Sequence, residues 1–195
     1  MIVIFEGLDG AGKTTIINQL ALKFDNVIIM TFPDRNSKDG KKISNILQQS
    51  IKSTQDIIPI LAKLCADQIY DSVQYIIKSS NSGKIVLIDR YILSNYVYQQ
   101  NPNLDFTYVK DLYRRLTNLT KVITVFINID AQTSISRTSK KQAEIFDNIK
   151  AQQNIHKLYK NVLSQIPSTI EYSGHLPSEE IVDKIYNSIN TMYIL

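Results

Sequence analysis

At 195 residues and 44% hydrophobic content, the chain is long enough for one compact domain with its own core, and its scattered net charge of +4 favours small anionic ligands while giving no reason to expect DNA or RNA. No apolar run reaches eighteen residues, and the opening apolar stretch, residues 2–5, is too short and lacks the basic flank of a secretory leader, so the expectation is a cytoplasmic protein with no membrane partner. The single Cys65 has no partner for an internal disulfide and reads as a packing residue in a reducing compartment.

Short Val- and Ile-rich runs alternate with longer stretches of helical period, which predicts an α/β fold: a doubly wound, five-stranded parallel sheet with helices on both faces, forming one domain over residues 1–195. Strands are predicted at residues 2–6, 27–32, 84–89, 122–128 and 169–172, and their lack of polar alternation predicts burial on both faces. Helices are predicted at residues 13–24, 40–49, 59–79, 105–116, 144–165 and 178–193. The third carries the clearest stripe, through Ile57, Leu61, Leu64, Cys65, Ile69, Val73 and Ile76. The fifth repeats that spacing through Ile155, Leu158, Tyr159, Val162, Leu163 and Ile166.

The first strand runs into "FEGLDGAGKTT", residues 5–15, where Gly7-x-x-x-x-Gly12-Lys13-Thr14 lies between a strand and a helix, the context of a phosphate-binding loop. Its glycines let backbone N–H groups turn toward phosphate oxygens, Lys13 reaches the terminal phosphates, and the Thr14 hydroxyl can ligate magnesium. The candidate cradle is Gly7, Gly10, Ala11, Gly12, Lys13, Thr14 and Thr15. At the exit of the second strand, "TFPDR" places Phe32, a stiffening Pro33 and then Arg35. At the exit of the third, "KIVLIDRY" places Asp89 to help hold magnesium or its waters and Arg90 to meet a phosphate. The plain alternatives are a solvated ion pair at residues 89–90 and a solubilising charge at Arg35. Two strand-end arginines beside a triphosphate loop nevertheless predict a second phosphorylated substrate, and so a kinase rather than a hydrolase, because positive charge is needed on both sides of the moving phosphoryl group.

"FEGLDGAGKTT", "FPDR" and "DRYILSNYVYQ", in that order, resemble the thymidylate kinase family, which phosphorylates thymidine monophosphate (dTMP) from ATP, and weaker similarity continues through "EIFDN" and the last helices. The resemblance implies a P-loop nucleoside monophosphate kinase fold, ATP and Mg2+ as cofactors, dTMP as acceptor, a homodimer paired through helix faces, and a mobile lid at about residues 136–147. It implies that Lys13 and Thr14 serve ATP and magnesium, that Asp9 approaches the 3′-hydroxyl of the acceptor sugar, and that Arg35 and Arg90 hold the acceptor phosphate, with Phe32 beside it. It also puts Tyr98 against the sugar, where it would disfavour a 2′-hydroxyl, Ser94 near the base, and Phe146 near the nucleoside just after the lid.

Two departures from the family pattern carry consequences. Relatives usually place an aromatic residue and an arginine one turn apart on the long third helix to stack on and read the thymine; the matching positions here are Leu64 and Gln68. Gln68 offers a donor and an acceptor but no charge, which leaves a broader base specificity open beside dTMP. Relatives also place a catalytic cation in the phosphate loop or in the lid. The loop position here is Gly10, so the cation is expected within "SRTSKKQ", residues 136–142, at Arg137, Lys140 or Lys141, while the position before Phe146 is Ile145. Arg137 is the preferred candidate because a guanidinium suits phosphoryl oxygens, giving a catalytic set of Lys13, Asp9, Arg90 and Arg137. The competing functions are a deoxynucleoside kinase, whose acceptor has no phosphate, and a nucleotide-binding switch without turnover.

Overall fold

Five strands, Ile2–Glu6 (β1), Val27–Thr31 (β2), Ile85–Asp89 (β3), Val122–Asn128 (β4) and Thr169–Ser173 (β5), pair in parallel in the order β2-β3-β1-β4-β5. The structure is a computed structural model and describes residues 1–48, 54–99, 105–138 and 146–194. The connecting helices are Lys13–Ala21 (α1), Lys38–Gln48 (α2), Thr54–Asn81 (α3), Ile92–Gln99 (α4), Phe106–Leu119 (α5), Ala131–Thr138 (α6), Ile149–Val162 (α7) and Ser178–Ile194 (α8). Helix α1 packs against α8 and on β2 and β3, while α3 packs on β3 and against α4, which also meets α5 and α7. This is the doubly wound arrangement the alternating pattern predicts.

The central strands β1 and β3 are buried throughout and β4 nearly so, but the edge strands β2 and β5 are only partly covered, which corrects the expectation of two-face burial for those two. Two short helices, α4 and α6, were not expected. Helix α3 starts at Thr54, five residues before the predicted start at Pro59, and α7 starts at Ile149 behind an Asn148 cap whose side chain accepts from the Ala151 N–H. The predicted positions 49, 144 and 145 lie outside the described residues.

The α3 stripe serves two cores. Ile69 and Ile76 join the main core on the sheet, whereas Leu61 and Cys65 pack with Ile43 and Leu47 of α2 in a separate small cluster beyond the carboxyl edge of the sheet. Through Gly40, α2 lies directly against the Asp34–Arg35 backbone. Contact is closest at Gly40, where a Cβ would lie 1.7 Å from the Asp34 carbonyl oxygen. Gly40→Ala must therefore push α2 away from this segment. The expected cost is about 1–3 kcal/mol, a fall in Tm of about 3–10 °C for a chain of this size, together with a raised acceptor KM, measurable by thermal melts and steady-state kinetics.

Strand register brings the three motifs to one edge. Phe5 of β1 and Thr31 of β2 both pair with Asp89 of β3, the Phe32 N–H donates to the Asp89 carbonyl at 2.9 Å, and the Arg90 N–H donates to the Phe5 carbonyl at 2.9 Å.

Candidate active site

The phosphate loop leaves β1 and ends on Gly12, which precedes α1 with φ 92°. Lys13 is buried, and its Nζ donates to the Leu8 carbonyl at 2.9 Å and the Gly7 carbonyl at 3.2 Å. Burial, and then the nearby Arg90 charge, lower its pKa to about 8. Thr14 Oγ1 donates to Asp89 Oδ2 at 2.7 Å, so the two residues expected at magnesium meet directly. A cavity above the loop is lined by Asp9, Gly10, Gly12, Lys13, Thr14, Thr15, Asp89, Arg90 and Arg137. Gly7 and Ala11, also expected in the cradle, do not line it. Ala11 is buried, and Gly7 lies so close to β4 that a Cβ would sit 2.4 Å from the Ile127 carbonyl oxygen.

Arg90 occupies the hinge between β3 and α4 in the left-handed region, with φ 66°, a conformation that costs a non-glycine residue of order 1 kcal/mol. That turn sends its side chain back across the sheet edge. Nη2 donates to Asp9 Oδ1 at 2.6 Å, Nη1 donates to the Gly7 carbonyl at 3.0 Å and to Ser94 Oγ at 3.2 Å, and the guanidinium lies 4.7 Å from the Tyr98 ring centroid. The Tyr98 hydroxyl donates to Asp9 Oδ2 at 3.0 Å, and burial raises the Tyr98 pKa so that it stays a donor. Burial alone would raise the Asp9 pKa, but the charges of Arg90 and Lys13 outweigh it and hold the carboxyl at about 2.

With a folded pKa of about 2 against 3.8 for the free side chain, Asp9 contributes stability that is fully present above about pH 4 and is lost as pH falls through 2. The stability gap between the wild type and Asp9→Asn should therefore narrow as pH drops from 4 to 2, which denaturant titrations across that window would register.

Beyond Arg90 lies a second cavity, lined by Asp9, Phe32, Pro33, Arg35, Ile43, Leu47, Cys65, Ile69, Arg90, Tyr91, Ser94, Asn95, Tyr98, Gln99 and Phe146. Phe32, Arg35, Ser94, Tyr98 and Phe146 thus come together as the sequence predicts. The Phe146 ring meets Tyr98 edge-on at 5.6 Å, and an Arg35 Nη1 donates to Ser44 Oγ at 3.3 Å. Leu64 and Gln68, expected at the base, do not line this cavity. Leu64 packs on the small cluster of α2 and α3, and the Gln68 amide is committed to the segment after Phe32: Oε1 accepts from the Asp34 N–H at 2.8 Å and Nε2 donates to Ser37 Oγ at 2.9 Å.

Helix α4 adds further polar groups to the lining of this cavity. Asn95 and Gln99 are buried, and Asn95 Oδ1 and Gln99 Oε1 have no hydrogen-bond partner among the described residues. The Asn95 amide orientation is set by Nδ2, which donates to the Ala62 carbonyl at 3.1 Å. Sequence reasoning passed over both. The available signal is the pair of four-residue spacings in "DRYILSNYVYQ", Arg90/Ser94/Tyr98 and Tyr91/Asn95/Gln99, six cavity residues of which, in chain order, the last four lie on α4 and the first two directly before it.

Helix α6 borders the cavity above the phosphate loop. Ser134 Oγ donates to the Asp9 carbonyl at 2.7 Å, and Arg137 Nη1 donates to the carbonyls of Gly10 at 3.2 Å and Gly174 at 3.1 Å. Gly10 sits directly beneath this helix with φ +73°, and a Cβ there would lie 3.0 Å from Arg137 Cβ and 3.2 Å from the Ser134 carbonyl oxygen. Arg137 therefore lies on the cavity above the phosphate loop. Lys140 and Lys141, the other candidates for the cation, Ile145, and most of the expected lid lie outside the described residues.

The profile of the thymidylate kinase family matches residues 5–185. A thymidylate kinase of Schizosaccharomyces pombe is 26% identical over 198 residues, covering 95% of this chain and 91% of the relative. A probable thymidylate kinase of Methanococcus maripaludis strain C6 is 30% identical over 199 residues, covering 98% and 90%. Among solved structures, a thymidylate kinase from Candida albicans superposes with a TM-score of 0.74 at 21% identity, covering 98% of this chain and 92% of that one, a likeness of fold.

Proposed function

The chain belongs to the thymidylate kinase family, and from that membership we propose that it transfers the γ-phosphoryl group of ATP to dTMP, giving ADP and dTDP. The observation that carries this reading is that two cavities share Asp9 and Arg90 as a common wall, one above the phosphate loop and one beneath Phe146. A donor and an acceptor seated there would meet across a guanidinium, as in-line phosphoryl transfer requires. Lys13 gives up its two loop carbonyls to meet the terminal phosphates. Arg90 and Arg35 hold the acceptor phosphate, Tyr98 and Asp9 face the sugar, and Arg137 supplies positive charge from the donor side. No covalent intermediate is needed, because orientation and charge neutralisation supply the rate.

Thr14 Oγ1 and Asp89 Oδ2 offer a hydroxyl and a carboxylate, oxygen donors that suit Mg2+, whose remaining positions would be filled by nucleotide phosphates and water. When bound, magnesium would neutralise phosphate charge at this end of the loop. The same reading includes a cytoplasmic setting, supported by the free buried Cys65, and a homodimer, supported by the exposed Ile60, Tyr70 and Tyr75 on α3. Among the described residues no helix is long and apolar enough to cross a membrane.

ADP release measured with ATP, Mg2+ and each nucleoside or monophosphate in turn tests the function. Stimulation by dTMP but not by thymidine is expected. Stimulation by thymidine alone would assign the deoxynucleoside kinase activity, and no stimulation by any monophosphate would remove the reading.

Asn95 Oδ1 and Gln99 Oε1 are acceptors awaiting donors, and the N3–H of thymine is one such donor. Replacing Asn95 with Leu buries that edge of the base against a hydrocarbon. KM for dTMP should rise about 10–100-fold, the value of one buried hydrogen bond, with KM for ATP unchanged.

A further inference from the structure

Glu6 touches neither cavity, yet it is the fully buried carboxylate at the end of β1, directly before the phosphate loop. Its Oε1 accepts from the Tyr91 N–H at 3.0 Å and the Ser94 N–H at 3.3 Å, backbone donors at the start of α4 that the helix itself leaves unsatisfied. Its Oε2 accepts from the Tyr159 hydroxyl at 2.9 Å and from Ser94 Oγ, and Ser94 Oγ in turn accepts from Arg90 Nη1 at 3.2 Å. Ser94 Oγ and the Tyr159 hydroxyl also meet at 2.8 Å, so Arg90, Ser94, Tyr159 and Glu6 form one connected polar chain from the guanidinium to the buried carboxylate. Ser94, expected near the base, spends its hydroxyl in this chain.

A fully buried carboxylate held by hydroxyls and N–H groups costs more to desolvate than a well-packed apolar residue would, so stability alone does not explain it. What it does accomplish is geometric. The same carboxylate fixes the first turn of α4, the helix that begins two residues after Arg90 and carries Asn95 and Tyr98, and through Tyr159 it anchors α7, the helix that follows Phe146. We infer that Glu6 and Tyr159 form a buried positioning pair that sets the Arg90 guanidinium for the acceptor phosphate. The inference rests on the proposed acceptor role of Arg90 and goes beyond it by assigning work to two residues that no ligand would touch.

Calorimetric titrations of dTMP and thymidine into the wild type, Tyr159→Phe and Glu6→Gln separate positioning from mere support. The ring of Tyr159 packs on Phe126 at 5.2 Å, and phenylalanine keeps that contact, so Tyr159→Phe is the informative variant if Glu6→Gln fails to fold. Tyr159→Phe should lose about tenfold in dTMP affinity while thymidine affinity stays within about twofold, because only the phosphate grip is loosened. In turnover, KM for dTMP should rise by a similar factor with KM for ATP unchanged. Equal weakening of both ligands, or wild-type dTMP binding by folded Tyr159→Phe, overturns the inference while the kinase reading stands. A wild type that binds dTMP no better than thymidine overturns the acceptor-phosphate reading, and the inference with it.

Discussion

Arg90→Ala should lower kcat/KM for dTMP phosphorylation by at least about a thousandfold while leaving a folded protein, because a guanidinium at the transferring phosphoryl group is worth about 10³–10⁵ in rate. Arg90 is the one arginine that lines both cavities among the described residues, so its loss removes positive charge from donor and acceptor together. The truncation also strips Asp9 of its 2.6 Å partner, leaving a half-buried carboxylate with only Tyr98 and the more distant Lys13 charge to hold it. Arg90→Lys is not expected to restore activity. The native side chain donates to Asp9, the Gly7 carbonyl and Ser94 from one planar fork and lies over the Tyr98 ring, a combination an ammonium on a flexible stem does not reproduce. Steady-state ADP release with dTMP varied, beside a thermal melt, checks this; a loss below tenfold in the folded alanine variant would place the acceptor phosphate elsewhere.

The position of Arg90 was legible because the signals that fix it are strong and local: a buried Val/Ile run, an Asp-Arg pair at its carboxyl end, and a glycine-rich loop at the same edge of a parallel sheet. The five strands and the strand-end Arg35 follow from the same reasoning, whereas the gathering of Asp9, Tyr98 and Phe146 around Arg90 is what the family resemblance of the three motifs implies. Helices α4 and α6 were not legible, for two reasons. In α4, Ser94, Asn95 and Gln99 are buried alongside Ile92, Leu93 and Val97, so the sequence shows no polar face to betray a helical period. In α6, Thr133, Ser134, Ser136 and Thr138 are poor helix formers, and tertiary contact with the loop at Gly10 overrides propensity.

That Leu64 and Gln68 do not line the cavity has a different cause. A spacing of four residues fixes a common face for Leu64 and Gln68 but not what that face meets. On α3 the neighbouring positions Cys65 and Ile69 turn into the cavity, and Gln68 meets the backbone of the Phe32–Arg35 segment. The unpartnered polar atoms of that cavity are those of Asn95 and Gln99 on α4, whose helical character the sequence conceals.

Arg137→Ala is expected to reduce kcat by about a hundredfold, the cost of removing one preorganised donor from a site of developing charge, with a smaller change in KM for dTMP because the acceptor cavity does not include this residue. The resting guanidinium lies on the Gly10 and Gly174 carbonyls at the rim of the donor cavity, close enough to exchange those partners for phosphate oxygens when ATP arrives. A cation grafted into the loop should fail to compensate. Gly10→Arg in the Arg137→Ala background forces a side chain onto a backbone at φ +73° and a Cβ to within 3.2 Å of the Ser134 carbonyl oxygen, so α6 must move away from the loop it covers. Single-turnover rates for Arg137→Ala, Lys140→Ala and Lys141→Ala decide which side chain neutralises the transferring group. If either lysine variant loses more than Arg137→Ala, the catalytic cation lies downstream of α6. Rescue by Gly10→Arg would show that α6 gives way to a side chain at this position, and that Gly10 is permissive rather than required.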